Sequence, residues 1–391
     1  MDKSTQIVRD SLAKFAEFSQ AAPRVFFAPG RANLLGAHMD YNGGVVMPVA
    51  LSKGSYVVAG KRSDSKLRIV SEQFPGEMVE LDFNQLHPQR ANGWASYIEG
   101  ALWATQQRWH CLSGLDILID SDLPIAKGLS SSASVISAVV KAVATLFNID
   151  ADVDELVHLA HLAETRYVGV NCGVLDQTAI FLGQPNTILM FDCLELTRVH
   201  VPLDGNSARI AIIDSQQSRE LASSSFNQRV AECTSSLATL QQHVPGLTCL
   251  RKLTATQFSQ FKTHLNPEQQ RRTQHVIEEV QRTRRGAKAL RANNIADFGT
   301  CMTEAHYSLR DLFEVSTPEL DALVMAATEV DGCYGSRLTG AGFGGCAVAL
   351  VHPDAMASFE SHVVNSYLQQ TGIDTEVQWF KPSGGVAEII C

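Results

Sequence analysis

Residues 123–134 read LPIAKGLSSSAS, and a helical pattern of small residues over 133–147 follows at once. Backbone amides at the start of a helix bind phosphate, and here three consecutive serine hydroxyls and Lys127 accompany them. The alternative is a serine-rich cap on an ordinary helix, for which one serine would be enough. Three serines behind a glycine turn exceed that need, so the segment predicts a polyphosphate site.

A second glycine-containing loop follows an apolar strand predicted at 24–28. Residues 30–44 read GRANLLGAHMDYNGG, which places arginine, histidine, aspartate and asparagine between glycines. Polar groups gathered on a loop after a strand suit a hydroxyl-rich ligand. A solvated loop that merely needs glycines to turn is the alternative.

A third loop, RLTGAGFGG at 337–345, fits the G-x-G-x-x-G pattern of dinucleotide-binding folds. Its context does not fit, because a dinucleotide loop opens a helix whereas residues 346–351 continue as a β-rich run. A glycine-rich turn that packs closely on another backbone is an equal alternative to a ligand-binding loop.

The patterns along the chain indicate an α+β protein. Alternating apolar residues between 45 and 81, and the apolar runs at 117–119 and 347–351, are typical of strands. Helical periodicity occurs over 133–147, 152–166, 225–243, 268–292, 295–312 and 317–329. With 391 residues the chain is long enough for two domains, and residues 192–206 are the best candidate for the boundary between them.

Composition argues against several classes of protein. The net charge is −9 and long lysine or arginine runs are absent, so we expect no nucleic-acid partner. The longest apolar stretch, 133–147, is interrupted by Ser134, Ser137 and Lys141, so we expect no membrane span, and the first twenty residues have no signal-peptide core. The nine scattered cysteines form no Cys-x-x-Cys pair, which favours a reducing, cytoplasmic location.

Other kinase and metal motifs are absent or out of context. No G-x-x-x-x-G-K-[ST] loop occurs, and the Asp-Phe-Gly at 297–299 has no catalytic-loop His-Arg-Asp before it, so we interpret it as chance within a helix. His158, His161 and Glu164 are spaced three apart without a His-Glu-x-x-His motif. Ordinary packing is therefore favoured over a zinc site there.

Taken together, the three loops resemble the motifs of the GHMP superfamily of small-molecule kinases, and GRANLLGAHMDYNGG is similar to the galactokinase signature. Further segments resemble galactokinase stretches in the same order: AETRYVGVNCGVLDQ at 163–177, LASSSFNQRVAEC at 221–233 and SLRDLFEVSTPELDALV at 308–324. The resemblance implies a two-domain α+β GHMP kinase fold, with a domain like ribosomal protein S5 domain 2 at 1–195 and a ferredoxin-like domain at 196–391. It also implies an ATP-dependent sugar 1-kinase acting on the anomeric hydroxyl of D-galactose or a close galacto-configured derivative.

The resemblance also implies roles for single residues. Asp176 would be the catalytic carboxylate beside the sugar C1 hydroxyl, with Arg31 near Asp176 and the transferring phosphoryl group. Ser131 and Glu164 would hold Mg²⁺, with ATP as the co-substrate. ATP contacts are expected from Lys127, Gly128, Leu129, Ser130, Ser131, Ser132 and Ala133. Sugar contacts are expected at Ala37, His38, Asp40, Asn171, Gly173 and Phe226. The expected partners are these small molecules, and we expect a monomer, with a weak homodimer as the alternative.

Several positions depart from the galactokinase pattern. Galactokinases have Glu where this chain has Ala37, and that carboxylate contacts the sugar near its C6 hydroxyl; they usually have Thr at Met39 and Tyr at Phe226. A hydrogen-bond partner lost at a buried sugar hydroxyl costs about 1–3 kcal/mol, enough to change specificity. GAHMD at 36–40 is also similar to the galacturonokinase branch, so D-galacturonate is the alternative acceptor.

Two further questions stay open at this level. Lys127 replaces a small residue of the family, and it either adds charge to the phosphate loop or points to solvent. A catalytically silent sugar sensor is the alternative to an enzyme. That alternative predicts a damaged phosphate loop or a lost carboxylate, yet GLSSSAS, Glu164, Asp176 and Arg31 are all present.

Overall fold

The structure is a computed structural model that describes residues 3–88, 92–110, 113–124, 128–170, 172–217 and 222–390. Contacts divide the chain into two compact units, each assembled from separate segments. The first unit comprises Met1–Arg31, Ala50–Gly183 and Ser383–Cys391, and the second comprises Ala32–Val49 and Gln184–Pro382. The boundary predicted between residues 195 and 196 stays a prediction. Lys127 and Asn171 lie outside the described residues.

The main sheet is built on two long strands that are buried along most of their length. Its strands are β1 (Arg24–Leu35), β2 (Val45–Lys61), β3 (Lys66–Ser71), β4 (Met78–Asp82), β5 (Leu115–Ser121) and β12 (Ala387–Ile389). They lie in the order β12-β1-β2-β5-β3-β4. β3 and β5 are parallel, whereas β2 with β5, β3 with β4 and β1 with β12 are antiparallel.

Helices of the first unit pack on two apolar faces of this sheet. They are α1 (Lys3–Phe18), α2 (Ser96–Trp109), α3 (Ser131–Leu146), α4 (Val153–Leu162) and α5 (Leu175–Leu182). Successive side chains of a strand point to opposite faces. Accordingly, Val58 belongs to the apolar cluster that contains Phe15 of α1, whereas Val57 belongs to the cluster that contains Ile136 of α3.

The helix that follows the serine-rich loop is fixed to the sheet by a buried hydroxyl. Ser134 donates to the carbonyl oxygen of Ala28 (2.7 Å) and accepts from the backbone N–H of Ser55 (3.2 Å). Its oxygen also lies 3.0 Å from that of the Ser55 side chain. Small residues on this face let α3 approach the strands closely, so the N-terminus of α3 has a defined position beside β1.

The second unit contains a four-stranded antiparallel sheet. Its strands are β8 (Arg209–Asp214), β9 (Cys333–Thr339), β10 (Cys346–Val351) and β11 (Val377–Phe380), and the unit also contains β6 (Thr187–Asp192) and β7 (Arg198–Pro202). The sheet order is β11-β8-β10-β9, while β6 pairs with β7 and with the first residues of β2. The helices are α6 (Ala222–Gln241), α7 (Ala255–Phe261), α8 (Pro267–Arg291), α9 (Ile295–Asp311), α10 (Pro318–Thr328) and α11 (Met356–Thr371).

Helices α10 and α11 contribute to one apolar cluster with the strands of this sheet, through residues such as Leu323 and Phe359. Helix α9 packs against β9 at two glycines. A Cβ on Gly299 would lie 2.0 Å from the carbonyl oxygen of Tyr334, and a Cβ on Gly335 would lie 1.9 Å from that of Gly299. The Asp-Phe-Gly at 297–299 therefore lies inside a helix, as expected, and its glycine serves close packing.

The strongly periodic helices of the sequence are confirmed with bounds shifted by a few residues, and so are the strands at 24–28, 117–119 and 347–351. The pattern predicted as one helix over 152–166 differs in its last turn, because residues 163–168 are π-helical. The sequence patterns missed α2, α5, α7 and α11. No helix in the described ranges is long and apolar enough to cross a membrane.

Candidate active site

The loop before α3 turns through left-handed backbone. Gly128 has φ 76°, and Ser130, the residue before the helix, has φ 57° and ψ 46°. Ser130 makes no side-chain bond to the helix N–H groups, so the serines are not acting as an ordinary cap. The first N–H groups of an α-helix have no partner within the helix, which leaves the start of α3 suited to phosphate oxygens.

Arg31 at the end of the first unit's part of β1 holds this loop. Its backbone N–H donates to the carbonyl oxygen of Leu129 (3.1 Å), and its guanidinium donates to that of Gly128 (2.9 Å). A Cβ on the neighbouring Gly30 would lie 2.9 Å from the same Leu129 oxygen. Only glycine permits this approach of strand and loop, which explains the Gly-Arg sequence at 30–31.

The same arginine makes a two-pronged ion pair with Asp176. Nε and one terminal nitrogen of Arg31 each lie 2.7 Å from a different carboxylate oxygen of Asp176. The Ser130 hydroxyl donates to that carboxylate at 2.5 Å. Asp176 lies in the first turn of α5, where the helix dipole favours a negative charge. With 26% of its side chain exposed, the carboxylate is fixed in orientation yet accessible.

Glu164 is the second carboxylate near the start of α3, after Asp176. It lies in the π-helical stretch at 163–168, and such irregular turns are common at functional sites. Its carboxylate accepts from the Ser132 hydroxyl (2.8 Å) and from the Gln177 amide (2.5 Å). Burial raises the pKa of Glu164, and the charge of Asp176 adds to that rise. A buried carboxylate beside a hydroxyl is an oxygen-only donor set of the kind that Mg²⁺ prefers.

The hydroxyl that contacts Glu164 is therefore that of Ser132, whereas the resemblance singled out Ser131. Ser131 as a metal ligand stays a prediction. His161, one of the residues considered for zinc, lies with its Nε2 2.9 Å from the carbonyl oxygen of Cys172. No sequence pattern pointed to Gln177 beyond its place next to Asp176.

The polar loop after β1 belongs to the second unit and is largely buried. His38, only 6% exposed, has φ 59°, and its Nδ1 lies 2.9 Å from the Tyr41 hydroxyl. Its Nε2 lies 3.1 Å from the carbonyl oxygen of Ala341. Burial, with the nearby His275, lowers the pKa of His38 to about 3. The ring is therefore neutral, with Nε2–H donating to Ala341 and Nδ1 accepting from Tyr41.

Aromatic rings surround this histidine. The His38 ring lies 4.9 Å from that of Phe313 and 5.6 Å from that of Phe226, centroid to centroid. Ala37 is buried and Asp40 is partly exposed. The second unit thus brings Ala37, His38, Asp40 and Phe226 onto one loop and its neighbouring helix. Gly173 lies in the first unit, just before α5.

The third glycine loop is a turn that packs on another backbone. A Cβ on Gly342, which has φ 81°, would lie 2.2 Å from the carbonyl oxygen of Val315. The N–H of Phe343 donates to that same oxygen at 2.8 Å. The loop leads directly into β10, so the expectation of a strand after it is confirmed. Its carbonyl at Ala341 is the acceptor for His38.

Comparison with known proteins agrees with this geometry. Residues 13–61 match the galactokinase galactose-binding signature, residues 96–184 the GHMP kinase N-terminal domain and residues 287–369 the GHMP kinase C-terminal domain. The galactokinase of Roseiflexus sp. is 40% identical over 364 residues, which cover 93% of this chain and 92% of that protein. The chain belongs to the galactokinase family.

Two further comparisons support the assignment. The galactokinase of Exiguobacterium sibiricum is 38% identical over 95% of this chain and 96% of its own length. The crystal structure of Lactococcus lactis galactokinase complexed with galactose matches with a TM-score of 0.93 and 33% identity, covering 98% of this chain and 100% of that chain. A mevalonate kinase structure, at 20% identity and a TM-score of 0.67, shares the fold.

These matches confirm the two-domain α+β GHMP kinase fold and the resemblance on which it rested. They also confirm that the chain is an enzyme, an ATP-dependent sugar kinase of the galactokinase type. The silent-sensor alternative is set aside by that result. The roles of individual residues and the exact sugar are taken up below as proposals.

Proposed function

We propose that this kinase transfers the γ-phosphate of ATP to the anomeric C1 hydroxyl of D-galactose or a close galacto-configured derivative. The observation that carries the proposal is the Asp176 carboxylate, which Arg31 and Ser130 hold in one orientation beside the N-terminus of α3. The names of the relatives, and the galactose bound to the Lactococcus lactis structure, support galactose as the acceptor.

Asp176 and Arg31 supply the groups that phosphoryl transfer needs at the acceptor. The transfer depends on positioning and on neutralising charge, with little covalent chemistry for the protein to perform. Asp176 accepts a hydrogen bond or a proton from the sugar hydroxyl, which aims the oxygen at phosphorus. Arg31 is bonded to this carboxylate and would therefore lie near the phosphoryl group as well. Its positive charge would stabilise the negative charge that develops there.

The loop at 128–133 holds the ATP phosphates through backbone N–H groups and hydroxyls. Lys127 would add a charge to this contact. Glu164 would bind Mg²⁺ together with Ser132, which already contacts it, or with Ser131 one position earlier. When bound, the ion would neutralise phosphate charge. Burial raises the pKa of Glu164, and a bound cation would oppose that rise because it favours the ionised carboxylate.

The residues that we propose to recognise the sugar ring belong to the loop after β1 and to the segment before α5. His38 is neutral and its ring is held by two hydrogen bonds, so its charge does not change near neutral pH. Asp40, Asn171 and Gly173 are the proposed hydroxyl contacts. Ala37 and Phe226 present apolar atoms where most of the family has polar groups. We further propose a cytoplasmic monomer, with a weak homodimer as the alternative.

A product-resolved assay tests the function. The protein would be incubated with MgATP and galactose, and the sugar phosphate identified by ³¹P NMR beside a coupled measurement of ADP release. We expect stoichiometric ADP and a sugar 1-phosphate. Phosphate found on C6, or ADP release that does not depend on the sugar, would contradict the proposal. Replacing Mg²⁺ by EDTA should abolish turnover.

The second candidate acceptor, D-galacturonate, is favoured by one observation. Ala37 places a methyl group where a glutamate would repel a substrate carboxylate. At about 4 Å and an effective dielectric of 20, such repulsion is worth roughly 4 kcal/mol.

A further inference from the structure

The turn between α9 and α10, residues 312–315, supports His38 by two routes. The fully buried Phe313 ring lies 4.9 Å from the His38 ring, centroid to centroid. The carbonyl oxygen of Val315 accepts from the N–H of Phe343 at 2.8 Å, which holds the glycine loop that contacts His38. The position of this turn therefore affects the position of the histidine.

The turn has a strained backbone. Glu314 has φ 55°, a left-handed conformation that residues with a side chain rarely adopt. The residue is exposed, so burial of its own side chain does not hold it there. Strain of this kind persists only where the surrounding contacts over-determine the conformation, and it is frequent at ligand-binding sites. The groups that hold the turn are found on two neighbouring helices.

Arg229 on α6 holds two carbonyl oxygens of the turn. Its Nε donates to that of Phe313 at 2.8 Å, and one terminal nitrogen donates to that of Glu314 at 3.1 Å. The other terminal nitrogen lies 2.9 and 3.0 Å from the two carboxylate oxygens of Glu232. Arg229 is buried, and every nitrogen of its guanidinium has a partner.

Arg272 on α8 holds the same turn from a second helix. Its terminal nitrogens donate to the carbonyl oxygen of Leu312 and to the carboxylate of Glu314, both at 2.6 Å. Its Nε donates to Glu232 at 2.7 Å, so that carboxylate joins the two arginines. The other oxygen of Glu314 lies 3.2 Å from a terminal nitrogen of Arg271. Arg272 is fully buried, and its planar guanidinium fixes three acceptors in one geometry.

We propose that Arg229 and Arg272 are positioning residues of the acceptor site, which hold the turn at 312–315 so that His38 stays in place for the sugar. The inference rests on the proposed function, in which His38 belongs to the sugar site. Neither arginine needs to touch the sugar. These hydrogen bonds lie within the second unit, whereas the phosphate loop at 128–133 belongs to the first. Loss of the bonds should therefore weaken the use of sugar and leave the use of MgATP unchanged.

The closing experiment measures KM for galactose, KM for MgATP and kcat in Arg272→Met and Arg285→Met. Arg285 is the matched control, because it lies on the same helix and pairs with Glu304 on the surface. We expect Arg272→Met to raise KM for galactose by at least about tenfold, since groups that contact a ligand lose their fixed positions. KM for MgATP should not change, and Arg285→Met should change neither value.

A purely structural role gives a different result. Partial unfolding lowers the active fraction, which decreases kcat and leaves both KM values as they were. An unchanged KM for galactose in Arg272→Met, or an equal rise of both KM values, would therefore overturn the inference.

Two further variants complete the test. Arg272→Lys keeps the charge but donates from a single nitrogen, so its KM for galactose should lie between those of the wild type and the methionine variant. If Arg272→Met does not fold, Glu314→Ala decides, because Glu314 is exposed and its loss removes only the carboxylate partner of Arg272. Glu314→Ala must raise KM for galactose relative to KM for MgATP, and an unchanged ratio of the two refutes the inference.

The wild-type assay separates this inference from the proposed function. If galactose 1-phosphate forms and the two KM values respond alike to Arg272→Met, the inference alone fails. If the wild-type protein forms no sugar 1-phosphate, the proposed function fails and the inference fails with it.

Discussion

Two loops of this kinase have similar backbone conformations but different electrostatic surroundings. The loop at 128–130 and the loop at 36–38 both turn through positive φ after a buried strand or glycine. In the first, Arg31 and Asp176 form a matched and partly exposed ion pair. In the second, His38 is neutral and lies among aromatic rings.

The difference separates chemistry from recognition. The Asp176 carboxylate is held in one orientation and is partly exposed, so it can accept a hydrogen bond from a ligand. His38, by contrast, is only 6% exposed, and both of its ring nitrogens already have hydrogen-bond partners. We therefore expect substitutions in the first region to change the rate, and substitutions in the second to change stability and choice of substrate.

The largest effect is expected at Asp176. Asp176→Asn should lower kcat by about 10²–10⁴-fold, because the amide cannot accept the proton of the sugar hydroxyl. Binding of ATP, measured by calorimetry, should change little. Asp152→Asn is the matched control, since Asp152 caps α4 and asparagine caps equally well. Near-normal kcat for Asp176→Asn would remove the residue from the mechanism.

The next effect concerns the metal. Glu164→Gln should raise the Mg²⁺ concentration needed for half-maximal turnover by at least about tenfold, because a charged ligand of the ion is lost. Glu155→Gln is the control, because Glu155 lies on the preceding helix and pairs with Arg108 on the surface. A Mg²⁺ titration of the two variants that gave the same midpoint would contradict the assignment of Glu164.

A smaller effect, on stability, is expected for the hydrogen bonds that attach α3 to the sheet beside the phosphate loop. Ser134→Ala should lower the free energy of unfolding by up to about 3 kcal/mol, since it leaves buried partners at Ala28 and Ser55 unpaired. Ser137→Ala on the same helix is the control, because the buried Ser137 hydroxyl has no hydrogen-bond partner among the described residues. In urea denaturation, the free energy of unfolding of Ser137→Ala should therefore be equal to that of the wild type or higher. Similar decreases in both variants would show that the hydrogen bonds of Ser134 do not explain the effect.

The smallest effect is a pH dependence in the second region. Because the pKa of His38 falls from 6.5 to about 3 on folding, the unfolded chain binds a proton more readily, and stability is lost as pH falls from 6.5 towards 3. Between pH 7 and pH 5 the loss from this group is about 2 kcal/mol. His38→Gln should flatten that part of the stability curve, whereas His362→Gln, a surface control, should not.

Local patterns of the sequence were sufficient for much of the architecture. The periodic helices from residue 225 onwards, and the strand after the third loop, follow from repeats of apolar residues over one element. Helix α2 was missed because buried polar residues such as Glu99 interrupt its apolar pattern. Helix α5 was missed because only eight residues form it.

The sequence alone was sufficient to identify the family signature and the glycine loops. Its resemblance to the family also identified the candidates Asp176, Arg31 and Glu164. Two things were decided only by tertiary structure: that Arg31 and Ser130 together hold the two carboxylate oxygens of Asp176, and that Ser132 is the serine that contacts Glu164. The physical reason is that hydrogen-bond partners and burial depend on side chains brought together from distant segments. A linear pattern carries no information on which of those distant side chains meet.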